Sequence, residues 1–189
     1  MRDYSVILST LIQIREAFLG HHVVKLRRIS ERALSTGILH NDRGLAELAV
    51  IAYALHKMTT KTHIIEHPSY PALRVKLDEE IGHAVKALQT NSWHIFKTEL
   101  DHVIIAIQQV DTELGHHWTG FYQKGKIKLA SEAYSTGMSL SQAGWLLDVD
   151  KKAVQDYIGS TRLFDREHVE KDITQRIAEF EQKTGRPRP

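Results

Sequence analysis

The sequence predicts an all-α protein, a helical bundle followed by a helical unit that carries a helix-turn-helix. Three observations carry this. Every long segment before residue 115 places its apolar residues at steps of three and four, and none alternates as a half-buried strand does. Proline occurs four times, as Pro68 and Pro71 in one loop and Pro187 and Pro189 at the tail, so long helices can run unbroken. The stretch "SLSQAGWLLDVDKKAVQDYIGST", 139–161, reads as two short helices about a tight turn.

Ile7, Leu11, Ile14 and Phe18 share one face of a first helix, which Gly20 can end. Leu26, Ile29 and Ala33 face a core in a second helix, expected to run to Gly37. Asn41 or Asp42 can cap a third, "RGLAELAVIAYALHKM". It is apolar almost all round, with alanines among Leu, Val and Ile, and such a helix needs neighbours on several sides. The stretch "TTKTHIIEHPSYP" reads as a long irregular loop, with Pro71 as a first-turn residue of the next helix.

Leu73, Leu77, Ile81, Val85 and Leu88 mark that fourth helix. In the fifth, Trp93, Phe96, Leu100, Val103, Ile107, Val110 and Leu114 form a heptad seam, which serves either an internal bundle core or a dimer contact. Around Gly115 the period is lost. "GHHWTGFYQKGKIK" is read as a joint, with Trp118, Phe121 and Tyr122 plugging it. The expected domains are therefore a bundle over 1–115 and a helix-turn-helix unit over 124–184, whose last helix carries Val169, Ile173, Ile177 and Phe180. "KTGRPRP" follows as a basic end.

A helix-turn-helix needs small residues where its two helices cross, and Ala143 and Gly144 supply them. Leu140, Leu147, Val149, Val154 and Ile158 can pin both helices to a third, "KIKLASEAYSTG". Ser139 and Asp150 suit the two caps. Asp148 falls at the turn position that favours glycine, and aspartate tolerates the left-handed backbone better than most residues. The second helix then begins at Lys151, with Lys152 and Gln155 beside it and pointing away from the apolar face. N-terminal residues of a recognition helix reach base edges, lysine suiting phosphate or guanine and glutamine suiting adenine. Lys25, Arg28 and Arg32 form a basic stripe on the second helix that could grip phosphates, and Lys124, Lys126 and Lys128 flank the joint. Trp145 stands where such motifs leave solvent, which suits a protein contact.

Much chemistry is excluded or unsupported. The 189 residues contain no cysteine, which removes disulfides, thiol catalysis and Cys-type zinc sites. There is no glycine-rich phosphate loop and no nucleophile elbow, so no enzyme and no cofactor are expected. Among twelve histidines, His21 with His22 and His116 with His117 are adjacent pairs whose side chains diverge on a helix. His63, Glu66 and His67 lie in the proline loop. "ELDH" at 99–102 has the Glu-x-x-His shape of bundle metal sites once, and "EEIGH" at 79–83 is set aside on spacing, so no metal site is expected. No apolar run spans a membrane and no signal peptide is evident, which suggests a cytoplasmic protein. The formal net charge is only +2, so nucleic-acid affinity would come from local clusters.

Residues 127–161 resemble the helix-turn-helix segment of small archaeal and other prokaryotic UPF0175-type antitoxin-like proteins. Ser139, Leu140, Ala143, Leu147 and Val149 carry the likeness, while Gly144, Asp148 and Asp150 depart from the family's alanine, glycine and serine. The N-terminal bundle resembles uncharacterised archaeal helical proteins. The resulting expectation is a nucleic-acid-binding regulator, DNA before RNA, acting as a homodimer. The alternative is a helical adaptor that docks on a protein or a ribonucleoprotein such as the ribosome through the same helix pair.

Overall fold

A computed structural model of the chain describes residues 4–113 and 120–169. Leu114, His116, His117, Trp118, Ile173, Ile177 and Phe180 lie outside the described residues, as do the side chains of Val110 and Val169. The described residues form nine helices and no strand: α1 Ser5–Leu19, α2 Val23–His40, α3 Arg43–Thr59, α4 Thr62–Ile65, α5 Tyr70–Gln89, α6 Trp93–Glu113, α7 Phe121–Ser135, α8 Leu140–Leu147 and α9 Lys151–Val169. The all-α reading holds.

Helix α3 is the hub, touching α1, α2, α4, α6, α7 and α8. Its position follows from its composition, since Leu48, Ala49, Ile51, Ala52, Ala54, Leu55 and Met58 are all fully buried. Helix α2 lies closest, and small residues allow it. The buried Ser30 hydroxyl donates to the Ala49 carbonyl at 2.8 Å. A β-carbon on Gly37 would stand 3.1 Å from the Ala46 backbone nitrogen. Gly37 therefore does not end α2 as its position in the sequence suggested. It is a mid-helix contact point, and α2 continues to His40.

The real stop is Asn41, in the left-handed conformation at φ 50°. Asp42 then accepts hydrogen bonds from the backbone N–H groups of Gly44 and Leu45 and starts α3. Two adjacent residues thus divide the roles of stop and start.

Helices α5 and α6 form an antiparallel hairpin about Asn91, also left-handed at φ 55°. Leu77, Ile81, Val85 and Leu88 of one helix and Phe96, Leu100, Val103 and Ile107 of the other are buried in the chain's own core. Helix α1 packs on α5, where the Arg15 Nε and one Nη donate to the two Asp78 carboxylate oxygens at 2.6 and 3.2 Å. The proline loop is less irregular than its composition suggests: α4 occupies its middle and buries Ile64.

The joint before the second unit is also shorter than expected, because α7 already begins at Phe121 and buries Tyr122 and Gly125. One apolar core runs from Ile7 through α3 to Leu129, Leu146, Leu147 and Val154. Helices α7, α8 and α9 pack mutually, and α7 and α8 both rest on α3. No described helix is long and apolar enough to cross a membrane.

Candidate nucleic-acid interface

Helix α8 starts with a complete capping box. The Ser139 hydroxyl accepts from the Gln142 N–H, and the Gln142 side chain accepts from the Ser139 N–H, both at 3.1 Å. The helix ends after Leu147 because Asp148 takes the left-handed conformation at φ 51°, ψ 58°. Asp150 then caps α9, its carboxylate accepting from the N–H groups of Lys152 and Ala153 at 2.8 and 3.3 Å. The turn is the three residues 148–150.

Gly144 sets how tightly this turn closes. Its N-terminal helix has only two turns, and a β-carbon at Gly144 would lie 2.8 Å from the Val149 carbonyl oxygen. The Val149 N–H in turn donates to the Gly144 carbonyl at 2.8 Å. Ala143 beside it is fully buried. Small residues at 143 and 144 therefore let the chain fold back directly onto α8.

Asp148 is anchored on two sides. Its carboxylate accepts from the Lys126 ammonium of α7 at 2.9 Å and lies 3.6 Å from the Arg43 guanidinium of α3. The Lys126 hydrogen bond, with the charges of Lys126 and Arg43, holds its carboxyl below the ordinary aspartate range. Arg43 also lies over the Trp145 ring, 5.2 Å from its centroid. Trp145 is nevertheless 51% exposed. These residues form one wall of a cleft of about 690 Å³, whose other walls include Tyr4, Glu47, Trp93, Lys97 and Tyr122. Inside it the Lys97 ammonium pairs with Glu47 at 2.5 Å. Burial, reinforced by the negative charges of Glu47, Asp101 and Asp148, pushes the Tyr122 phenol well above its usual range.

Lys151, Lys152 and Gln155 are exposed on the first turns of α9, while Val154 is fully buried between them. Position and exposure agree with the expectation for these three. The Lys25, Arg28 and Arg32 stripe is exposed too, but two of its members face α1. Lys25 lies 3.7 Å from Glu16, and Arg32 hydrogen-bonds the Gln13 side chain.

A different cationic group lies where α2, α3 and α7 meet. Burial lowers the Lys57 pKa, and the neighbouring charges of Lys128, Lys61 and Arg27 lower it further. The Lys57 and Lys128 ammonium groups both sit over the Tyr53 ring, at 5.5 and 4.9 Å from its centroid. Tyr157 of α9 acts electrostatically on both Tyr53 and Lys128, which brings this group to the flank of α9. Four cations come together here, Arg27 of α2, Lys57 of α3, Lys128 of α7 and Lys61 in the turn before α4; among the described residues Glu31 pairs with Arg27 and Glu132 with Lys128. In the sequence only Lys128 stands in a lysine run, while Arg27 lies beside the α2 stripe and Lys57 and Lys61 are four apart about the end of α3.

Of His63, Glu66 and His67, the first lies in α4 and the other two follow that helix. The His67 ring nitrogen accepts from the Ser69 N–H at 3.3 Å, a local turn bond. No known protein family, curated protein or solved structure matches this chain.

Proposed function

We propose that this chain is a non-enzymatic nucleic-acid-binding protein that inserts the N-terminal turns of α9 into the major groove of duplex DNA, acting as a homodimer. The observation that carries this reading is the exposed set of Lys151, Lys152 and Gln155 at the start of a helix held by Val154 and by a three-residue turn. Lysine and glutamine there have the chemistry to contact phosphates, guanine and adenine. Arg27, Lys57, Lys61 and Lys128 would add sequence-independent phosphate contacts from the flank. A single short helix discriminates weakly, and a twofold pair reading two half-sites would multiply its specificity.

The test is binding of the purified chain to random duplex DNA and to structured RNA across a salt series. The reading requires duplex binding that weakens steeply with salt and is lost in the variant carrying Lys151→Glu and Lys152→Glu. Absence of duplex binding at low salt overturns it.

A second reading rests on Trp145. A half-exposed indole already stacked by Arg43 is a ready anchor for a protein or ribonucleoprotein partner. Under that reading Trp145→Ala abolishes partner binding while the charge reversals on α9 leave it intact.

A further inference from the structure

The α5–α6 hairpin carries a second feature, on a face that the proposed interface does not use. Counted from Glu80 rather than Glu79, "EEIGH" does contain Glu-x-x-His, at 80–83, so each helix of the hairpin carries the motif, α5 at 80–83 and α6 at 99–102. A separation of three places both side chains of each motif on one helix face. Glu80 and His102 are each eleven positions from Asn91, the hairpin turn, and His83 and Glu99 are each eight positions from it. The antiparallel register therefore sets each glutamate opposite a histidine, and the two motifs face each other.

The distances bear this out. The His83 Nδ1 lies 3.9 Å from both the Glu80 and the Glu99 carboxylates. The His102 Nδ1 lies 3.7 Å from Glu80 and 3.3 Å from Glu99. Ligand atoms of Glu80, His83 and Glu99 all fall within 4.8 Å of one another. With metal–ligand bonds of about 2.1 Å, the edge of a tetrahedral site is about 3.4 Å, so three of the four contacts need close by at most about 0.5 Å and the His102–Glu99 contact is already there, while His102, outside the mutual 4.8 Å group, must swing towards His83.

Ordinary surface ion pairing is a weaker account. Among the described residues, the ion pairs of both carboxylates are with these two imidazoles, which are charged only when protonated. Two glutamates are thus held side by side, their side chains about four-fifths buried, with no lysine or arginine in those pairs to neutralise them. A divalent cation supplies the missing charge, and neutral imidazole is its usual nitrogen ligand.

We propose that Glu80, His83, Glu99 and His102 bind one divalent transition-metal ion, with Zn²⁺ the ion that a four-coordinate set of two imidazoles and two carboxylates fits best. Bound there, the ion clasps α5 to α6.

The experiment is calorimetric titration of the chelator-treated full-length chain with Zn²⁺, paired with its melting temperature in Zn²⁺ and in chelator. The expected result is one ion per chain and a higher melting temperature in Zn²⁺. The pair Glu80→Gln and Glu99→Gln should weaken binding at least tenfold and remove the Zn²⁺-dependent rise. Both variants sit at a partly exposed surface, so their circular dichroism should match wild type. A control with His21→Ala and His22→Ala should bind as wild type does. Unchanged Zn²⁺ affinity in the glutamine pair, or loss of binding in the control, would overturn the assignment.

Discussion

The Asp148 carboxylate accepts a hydrogen bond from the Lys126 ammonium at 2.9 Å, tying the turn between α8 and α9 to the helix on which both rest. Asp148 also occupies the left-handed position of that turn. One residue therefore fixes the backbone of the turn and its attachment to α7.

Replacing Asp148 by Asn separates these two roles, because asparagine also tolerates the left-handed conformation. The folded carboxyl is held below its ordinary pKa, so its contribution is present above about pH 4, the unfolded value, and is lost as pH falls through the folded value. The side chain is 74% exposed, so the charge is worth less than about 1 kcal/mol. Wild type should melt slightly above D148N at neutral pH, and the gap should close in acid. Thermal melts of both proteins from pH 7 to pH 2.5 check this.

Gly144→Ala tests the close turn. In an open helix interior alanine would stabilise by about 1 kcal/mol over glycine. Here the new methyl meets the Val149 carbonyl oxygen at 2.8 Å, and such overpacking costs about 1–3 kcal/mol. The net result should be a melting temperature lower by a few degrees, at about 2–4 °C per kcal/mol for a chain of this size. A rise would mean that α8 and the turn are further apart than described.

Asp42→Ala removes the carboxylate that accepts from two N–H groups at the start of the hub helix. The loss should be about 1 kcal/mol, the usual worth of an N-cap. Asp42→Ser should recover most of it. Urea denaturation of the three proteins, at unchanged m-value, measures the difference.

The two cationic groups should differ in what they control. Reversing Lys57 and Lys128 should weaken binding to all duplexes alike and flatten its salt dependence. Substituting Gln155 by Ala should leave the salt slope unchanged while relaxing preference among sequences, by about 1–3 kcal/mol at one base pair. Competition binding between a selected site and random duplex at two salt concentrations separates the effects.

Much of the local structure was legible because helices announce themselves within one turn or two. The seams through Ile7 to Phe18 and Phe96 to Ile107 repeat every three or four residues, and periodic burial needs only a partner of any kind. Ser139 and Asp150 were legible as caps for the same reason, since the groups they satisfy lie two and three residues away. Gly37 was misread because glycine serves two purposes. At Asn41 the chain needs a left-handed residue, whereas at Gly37 it needs absence of bulk, and only the proximity of Ala46 distinguishes them.

The sequence by itself determined the helical class, the central place of α3, the starts of α3, α8 and α9 and the cap residues of the turn at 148–150. Each depends on periodicity or on hydrogen bonds between near neighbours in the chain. Tertiary structure alone decided that Lys57, Lys61, Lys128 and Arg27 form one cationic group, and that Glu80 and His83 face Glu99 and His102. It also decided that two cations of the α2 stripe are engaged with α1. Coulomb interactions act through space, and their partners here lie from a few to about seventy residues apart along the chain. Only helix packing and hairpin register could set those distances.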